Sequence, residues 1–463
     1  MIEMSLREVA AATRGRLCGG ASDSALVTGH VTADSRHVMA GDLFVALAGT
    51  QVDGHDFAGS ATSGGAVAVL SDRELSVPCI VVSDVLAALG LLARAVLDRL
   101  PDVKVIGITG SSGKTSTKDL LAQVVGQIGV TIAPPGSFNN ELGLPLTVLR
   151  ADETTRFLVL EMGARGLGHI AYLCAVAPPM IGVELLVGSA HVGEFGSREA
   201  IARAKSELVV AIPDDGTAVL NVDDDLVKSM ASLTHAHVIT FGRSPDADVR
   251  AVDVTTDSSG RARFTVRTPQ GEAPVALKLV GEHHVTNALA AAAVAISLDM
   301  PVNAVAEALS SAVALSRWRM EVTTRPDGVV VVNDAYNASP ESVRAALKTL
   351  AQMRGTGKTW AVLGEMRELG PETVSEHDAI GRLVVRLDIS HLVVVGENAK
   401  PIHLAAQMEG SWADESVFVP DADSAVEVLR RGIRPGDVVL VKAARAVGLE
   451  RVAEALLDEG SAA

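Results

Sequence analysis

An apolar, strand-like run, Val103-Lys104-Val105-Ile106-Gly107-Ile108, passes directly into Thr109-Gly110-Ser111-Ser112-Gly113-Lys114-Thr115 and then into a helical stretch ending near Gly126. A strand, a glycine-rich turn and a helix in immediate succession mark the start of a doubly wound α/β unit. The same turn suits a phosphate. Glycines let backbone amides curl around it, the helix N-terminus adds positive potential, Lys114 reaches the outer phosphates, and the Thr115 hydroxyl can ligate magnesium. Strict phosphate-loop spacing would place a glycine where Ile108 stands, so the motif is the variant T-G-x-x-G-K-T. It predicts an ATP site built from Thr109, Gly110, Ser111, Ser112, Gly113, Lys114 and Thr115.

A chain of 463 residues has room for several hydrophobic cores. Aromatics make up only 3%, so those cores must be built from Ala, Val and Leu, which suits buried parallel strands and alanine-rich helices. Three α/β units are expected. Residues 1–84 alternate short apolar runs with helical stretches, and residues 85–100 read as a helix leading into a central unit, 85–314. Within that unit, residues 157–160 and 218–220 read as further strands, 246–278 as an antiparallel insertion, and 287–298 as a buried helix. The third unit, 315–463, has strand candidates at 329–332, 360–363, 391–395 and 438–441 with helices between them, a second doubly wound sheet of Rossmann type.

The formal net charge of -16 argues against nucleic acid or an anionic membrane surface as partner. Cys18, Cys79 and Cys174 show no metal-ligand spacing, and their odd number gives no tidy disulfide framework, so a reducing cytoplasm is expected. The first residues lack the apolar core of a signal peptide, and no run is long enough to span a bilayer.

Glu161 closes the strand 157–160, where a phosphate-loop enzyme needs an anionic magnesium ligand. Asn139 and Asn140 offer amides on a loop, although asparagine often simply makes turns. From spacing alone, His191 passes for a loop histidine and Lys205 for a solvated helical lysine; Arg319 and Asp334 are charged residues near a strand.

Taken together, the segments Asp34-Ser35-Arg36, Asp53-Gly54-His55, the phosphate loop, Glu161-Met162-Gly163-Ala164-Arg165, Ala204-Lys205-Ser206-Glu207, Thr286-Asn287-Ala288, Arg317-Trp318-Arg319 and Asn333-Asp334-Ala335-Tyr336-Asn337 resemble the Mur ligase family. The resemblance implies two magnesium ions, one held by Thr115 and Glu161, the other by His191 and a carbamylated Lys205. It implies that Asn140 and Asn287 serve ATP, with Asn287 on the adenine, that Arg319 contacts the γ-phosphate and Asp334 the ribose, and that Ser35 and Arg36 hold the uridine diphosphate end of the substrate. Lys114, Lys205, His191 and Arg319 become the catalytic candidates. Residues 138–147, 333–340 and 364–370 resemble the dipeptide-adding members, and no Asp-Asn-Pro-Arg string is present. The implied reaction joins D-alanyl-D-alanine to UDP-N-acetylmuramoyl-tripeptide through an acyl phosphate, in peptidoglycan synthesis, by a monomeric enzyme. The third unit is expected to swing about residues 313–317. Lys442-Ala443-Ala444-Arg445 departs from the family, which often has glycine or serine before the arginine. The alternatives are a relative that adds one amino acid, to a wall precursor or a folate glutamate tail, and a phosphate-loop kinase or regulator.

Overall fold

In a computed structural model describing residues 1–49, 52–189, 192–411 and 415–460, the expected succession is a strand at Lys104–Thr109 and a helix at Lys114–Val125. The strand runs inside a nine-stranded sheet. Its neighbours, Phe157–Glu161 and Ile181–Glu184, are both parallel to it, with Glu161 opposite Ile108 and Glu184 opposite Thr109. Parallel strands bring their carboxyl ends to one edge, so two glutamates end beside the phosphate loop. Thr131–Ile132 closes that side of the sheet; on the other, Thr217–Asn221, His237–Gly242 and Val249–Thr256 follow in parallel.

The stretch expected to be an antiparallel insertion forms Val249–Thr256, Arg261–Thr268 and Gly271–Val280, which extend the same sheet. Alternate burial explains the continuity. Ala262, Phe264 and Val266 on one strand and Ala273, Val275 and Leu277 on the next present one apolar face to the core beneath the parallel strands. The helix His284–Ser297 fills that core and packs against the phosphate-loop helix.

In the N-terminal unit, Val31–Thr32, Leu43–Val45, Ala68–Ser71 and Cys79–Val81 are parallel, and Arg16–Cys18 pairs antiparallel at the edge. The helix expected over 85–100 runs Val85–Leu97. Asp84 caps it, and its Leu89, Leu92 and Val96 share a core with Leu144, Val148 and Leu158 of the central unit. The third unit has six strands in the order Glu321–Thr324, Val330–Asn333, Val438–Lys442, Thr359–Leu363, His391–Val395 and Ser416–Val419, parallel apart from the first. It closes on the central unit. Ser189 donates from its N–H and hydroxyl to Glu341 Oε1 at 2.6 and 2.8 Å, and the Gly193 N–H donates to the Glu368 carbonyl at 3.1 Å. Among the described residues no helix is long and apolar enough to cross a membrane.

Candidate active site

The phosphate loop needs glycine at two places. Gly110 and Gly113 have φ of 148° and 83°, and a Cβ on Gly113 would lie 2.6 Å from Asn287 Oδ1. Gly113 is also the N-cap of Lys114–Val125, and no side chain caps that helix, so its first amides stay free to face an anion. Lys114 Nζ arches back to the Gly110 carbonyl at 2.6 Å, and burial lowers its pKa, opposed by nearby Glu161.

Glu161 is 1% exposed and held from three sides. Thr115 Oγ1 donates to its Oε2 at 2.9 Å, while Ser137 Oγ and Asn139 Nδ2 donate to Oε1 at 2.8 and 2.7 Å. Arg319 enters from the third unit, its Nη2 donating to Thr115 Oγ1 at 3.3 Å and its guanidinium 4.2 Å over the Tyr336 ring. The residues on either side, Trp318 and Met320, are left-handed at φ 58° and 50°. Non-glycine residues hold that conformation only where their surroundings impose it.

Lys205, on the helix Arg198–Val210, is buried and lines the same cleft. Burial lowers its pKa, and the neighbouring Lys114 pushes the same way, so the amine is biased toward its neutral form. Glu184, near enough for its charge to act on Lys205, is fully buried, with neither carboxylate oxygen hydrogen-bonded among the described residues; burial raises its pKa against the pull of Lys205 and Lys114.

At the start of the helix His284–Ser297, Asn287 is buried with Nδ2 3.2 Å from His284 Nδ1, and His283 lines the cleft with Nδ1 unpartnered among the described residues. Burial lowers the His283 pKa to about 4. Asp334 also lines the cleft, but its oxygens are engaged: Oδ1 accepts from the Met320 N–H at 3.1 Å and Oδ2 from Lys442 Nζ at 2.6 Å.

The cleft, about 1040 Å³, thus gathers Ser111 to Thr115, Asn140, Glu161, Lys205, Asn287, Arg319 and Asp334 from two units. Thr109 and Gly110 do not line it. Asn140 uses Oδ1 to accept from the Gly143 N–H at 2.9 Å, so its neighbour Asn139 is the one that reaches Glu161. Ser35 and Arg36 sit on the exposed turn Ser35–His37 of the N-terminal unit, outside this cleft, with Arg36 paired to Asp34 at 2.6 Å. His191 lies outside the described residues.

Family models match in chain order: Mur ligase family, catalytic domain, over residues 28–106; Mur ligase middle domain over 108–295; and Mur ligase, glutamate ligase domain, over 318–445. The chain belongs to the Mur ligase family. Among curated Mur ligases, UDP-N-acetylmuramoyl-tripeptide--D-alanyl-D-alanine ligase of Mycobacterium tuberculosis is 49% identical, over 99% of this chain and 98% of the relative. The Escherichia coli ligase of the same name is 32% identical over 100% of both. Among solved structures, MurF from Acinetobacter baumannii is 30% identical with a TM-score of 0.88, covering 98% of this chain and 99% of that one. A Thermotoga maritima MurF ligase in complex with ADP is 32% identical with a TM-score of 0.81, covering 94% and 98%.

Within this Mur ligase, sequence reasoning passes over Glu184, His283 and Ser137. Glu184 carries a signal that could have found it, a glutamate closing the apolar run Ile181-Gly182-Val183 much as Glu161 closes 157–160. Ser137 and His283 carry none, since their positions depend on contacts with residues distant in the chain.

Proposed function

We propose that this Mur ligase joins D-alanyl-D-alanine to UDP-N-acetylmuramoyl-tripeptide, converting ATP to ADP and phosphate and giving the pentapeptide precursor of peptidoglycan. One observation carries the chemistry: an arginine of the third unit reaches the hydroxyl of the phosphate loop, with Thr115 and Arg319 3.3 Å apart although 204 residues separate them. The choice of a dipeptide over a single amino acid rests on the relatives' names.

A carboxylate and a γ-phosphate repel each other, so their reaction needs fixed positive charge and alignment. Lys114 and Arg319 supply charge from opposite walls, and the free amides of the helix N-terminus hold the β- and γ-phosphate oxygens. The substrate carboxylate attacks the γ-phosphorus and ADP leaves. The dipeptide amine then attacks the acyl phosphate carbonyl, and phosphate departs as the amide forms. Closure of the third unit excludes water that would hydrolyse the acyl phosphate.

The donors fit magnesium. The Thr115 hydroxyl and the Glu161 carboxylate are hard oxygens, and Ser137 and Asn139 hold the carboxylate in place. The family pattern adds His191 and a carbamylated Lys205 for a second ion. A buried amine biased toward neutrality suits carbamylation, because only the neutral form adds carbon dioxide. Magnesium, when bound, would neutralise charge on the phosphate oxygens. Asn287 and Asp334 are assigned to adenine and ribose, which requires Lys442 to share Asp334. Ser35 and Arg36 are assigned to the uridine diphosphate end. The reaction is assigned to the cytoplasm and to a monomeric enzyme.

The test is phosphate release with purified enzyme, ATP and UDP-N-acetylmuramoyl-tripeptide, with and without D-alanyl-D-alanine. Release should require both acceptor and dipeptide. Equal release with a single amino acid, or with a folate acceptor, would reassign the substrate; release without any amine would remove the ligase reading.

A further inference from the structure

The linker between the central and third units is fastened to the phosphate-loop helix. Gln123 uses both ends of its amide on one linker residue: Nε2 donates to the Val313 carbonyl at 2.9 Å, and Oε1 accepts from the Val313 N–H at 3.0 Å. A side chain that satisfies both backbone groups of one residue takes the place of a strand partner. Further along, the Ser316 N–H donates to Asp119 Oδ2 at 3.0 Å. Asp119 and Gln123 stand one helical turn apart, on the same face of Lys114–Val125.

Asp119 is itself fixed. Its Oδ1 lies 2.7 Å from Lys118 Nζ, and Lys118, 1% exposed, also donates to the Pro134 and Gly136 carbonyls at 2.7 and 3.0 Å. The next residues of that loop are the ones that hold Glu161, through Ser137 and Asn139. One set of side chains therefore ties the linker to the carboxylate beside the phosphate loop.

From Ser316 to Arg319 the chain has a reach of roughly 10 Å. Where Ser316 is held thus limits where Arg319 can land. With residues 313 and 316 tied to the central unit and Trp318 and Met320 held by the third, the turning point narrows from the 313–317 stretch expected from sequence to the bonds between Ser316 and Trp318, just before the left-handed conformations of Trp318 and Met320. Those conformations are imposed locally: the Trp318 N–H donates to Glu321 Oε2 at 3.0 Å, the Arg445 guanidinium lies 4.2 Å over the Trp318 ring, and the Met320 N–H is taken by Asp334.

We propose that Gln123 and Asp119 are positioning residues of the ligase reaction, fixing the linker to the phosphate-loop helix so that Arg319 meets the loop at Thr115 when the third unit closes. The inference rests on the role given to Arg319 above. Gln123→Leu removes both hydrogen bonds to Val313, together with the one from Nε2 to the Asp119 carbonyl at 2.9 Å, at similar volume and leaves the phosphate loop untouched. Turnover should fall about ten-fold or more, since a misplacement of about 1 Å can cost more than that, while ADP affinity stays within about two-fold. Q123E, which keeps the acceptor but turns a carboxylate oxygen onto the Val313 and Asp119 carbonyls, should fall at least as far as Q123L. Hydrogen exchange at the Val313 amide should speed up in Q123L, and exchange at Ser316 should speed up in D119A.

The decisive comparison is made in an R319A background, where Q123L should cost less than about two-fold, because there is no arginine left to misplace. Losses that multiply in the double variant, ADP affinity that falls in step with turnover, or unchanged turnover in Q123L would each overturn the inference. Wild-type turnover in R319A alone would strike down the role of Arg319 and this inference with it. Multiplied losses with R319A impaired would strike down the fastening alone.

Discussion

Arg319→Lys separates charge from shape at the point where the two units meet. Lysine keeps the positive charge but loses the planar contact over Tyr336 at 4.2 Å and the guanidinium bond to Thr115 at 3.3 Å. A partly desolvated cation–π contact contributes about 1–2 kcal/mol. A hydrogen bond to a charged group contributes about 1.5–3 kcal/mol, and the length of this one favours the lower end. Together they come to about 2.5–4 kcal/mol, a fall of roughly two to three orders of magnitude in rate. The loss should appear equally in kcat and kcat/KM, because Arg319 is assigned to charge that develops as the phosphoryl group moves. ADP affinity should barely change, since Lys114 and the loop amides remain. Steady-state phosphate release at saturating substrates, with calorimetric titration of ADP, makes the comparison. Turnover within about three-fold of wild type would refute the reasoning, as would an ADP affinity that drops as far as the rate.

Asn139→Ala removes the 2.7 Å bond to Glu161 and leaves Ser137 as the only donor to that oxygen among the described residues, so the magnesium needed for half-maximal activity should rise about 10- to 100-fold; an unchanged magnesium titration would count against Glu161 as a ligand. Native mass measurement of the folded protein at neutral pH with bicarbonate should find it heavier by one carbon dioxide, an increment absent in Lys205→Arg, and an active preparation without it under those conditions would remove the carbamate. His283, whose pKa burial lowers from 6.5 to about 4, binds a proton more readily when the chain unfolds. Its contribution is therefore undiminished above pH 6.5 and is lost as the pH falls toward 4, by about 3 kcal/mol. Denaturant midpoints measured across that range should fall less steeply for His283→Asn, and parallel curves would show that the imidazole is solvated.

What could be read in the sequence is what lies contiguous in it. The phosphate loop spans seven adjacent residues whose strand and helix flank it, and the hydrophobic periodicity on either side places it without any long-range contact. Arg319 and Lys205 are different. Nothing in their own neighbourhoods separates them from solvated side chains, and only the resemblance to a family sets them beside the loop. Glu184 escapes because its significance comes from strand order: Ile181–Glu184 pairs with Lys104–Thr109 although more than seventy residues separate them in the chain. The same holds for Gln123, whose partner Val313 lies 190 residues on. The strand Ser416–Val419 goes unread because its apolar run is only three residues, Val417-Phe418-Val419, after the polar stretch Asp414-Glu415-Ser416. The antiparallel strands are recognisable as strands, but not as part of the main sheet, because the apolar face that joins them to it alternates with charged residues.

The helix that carries Asn287 continues through Ala290, Ala291, Ala292 and Ala293, each fully enclosed. Alanine has no side-chain rotamers to lose, so this floor enters complex formation already as ordered as it will be afterwards. Ordering on nucleotide binding is therefore expected to show outside this helix, and relaxation measurements should find its backbone unchanged between the free and ADP-bound protein.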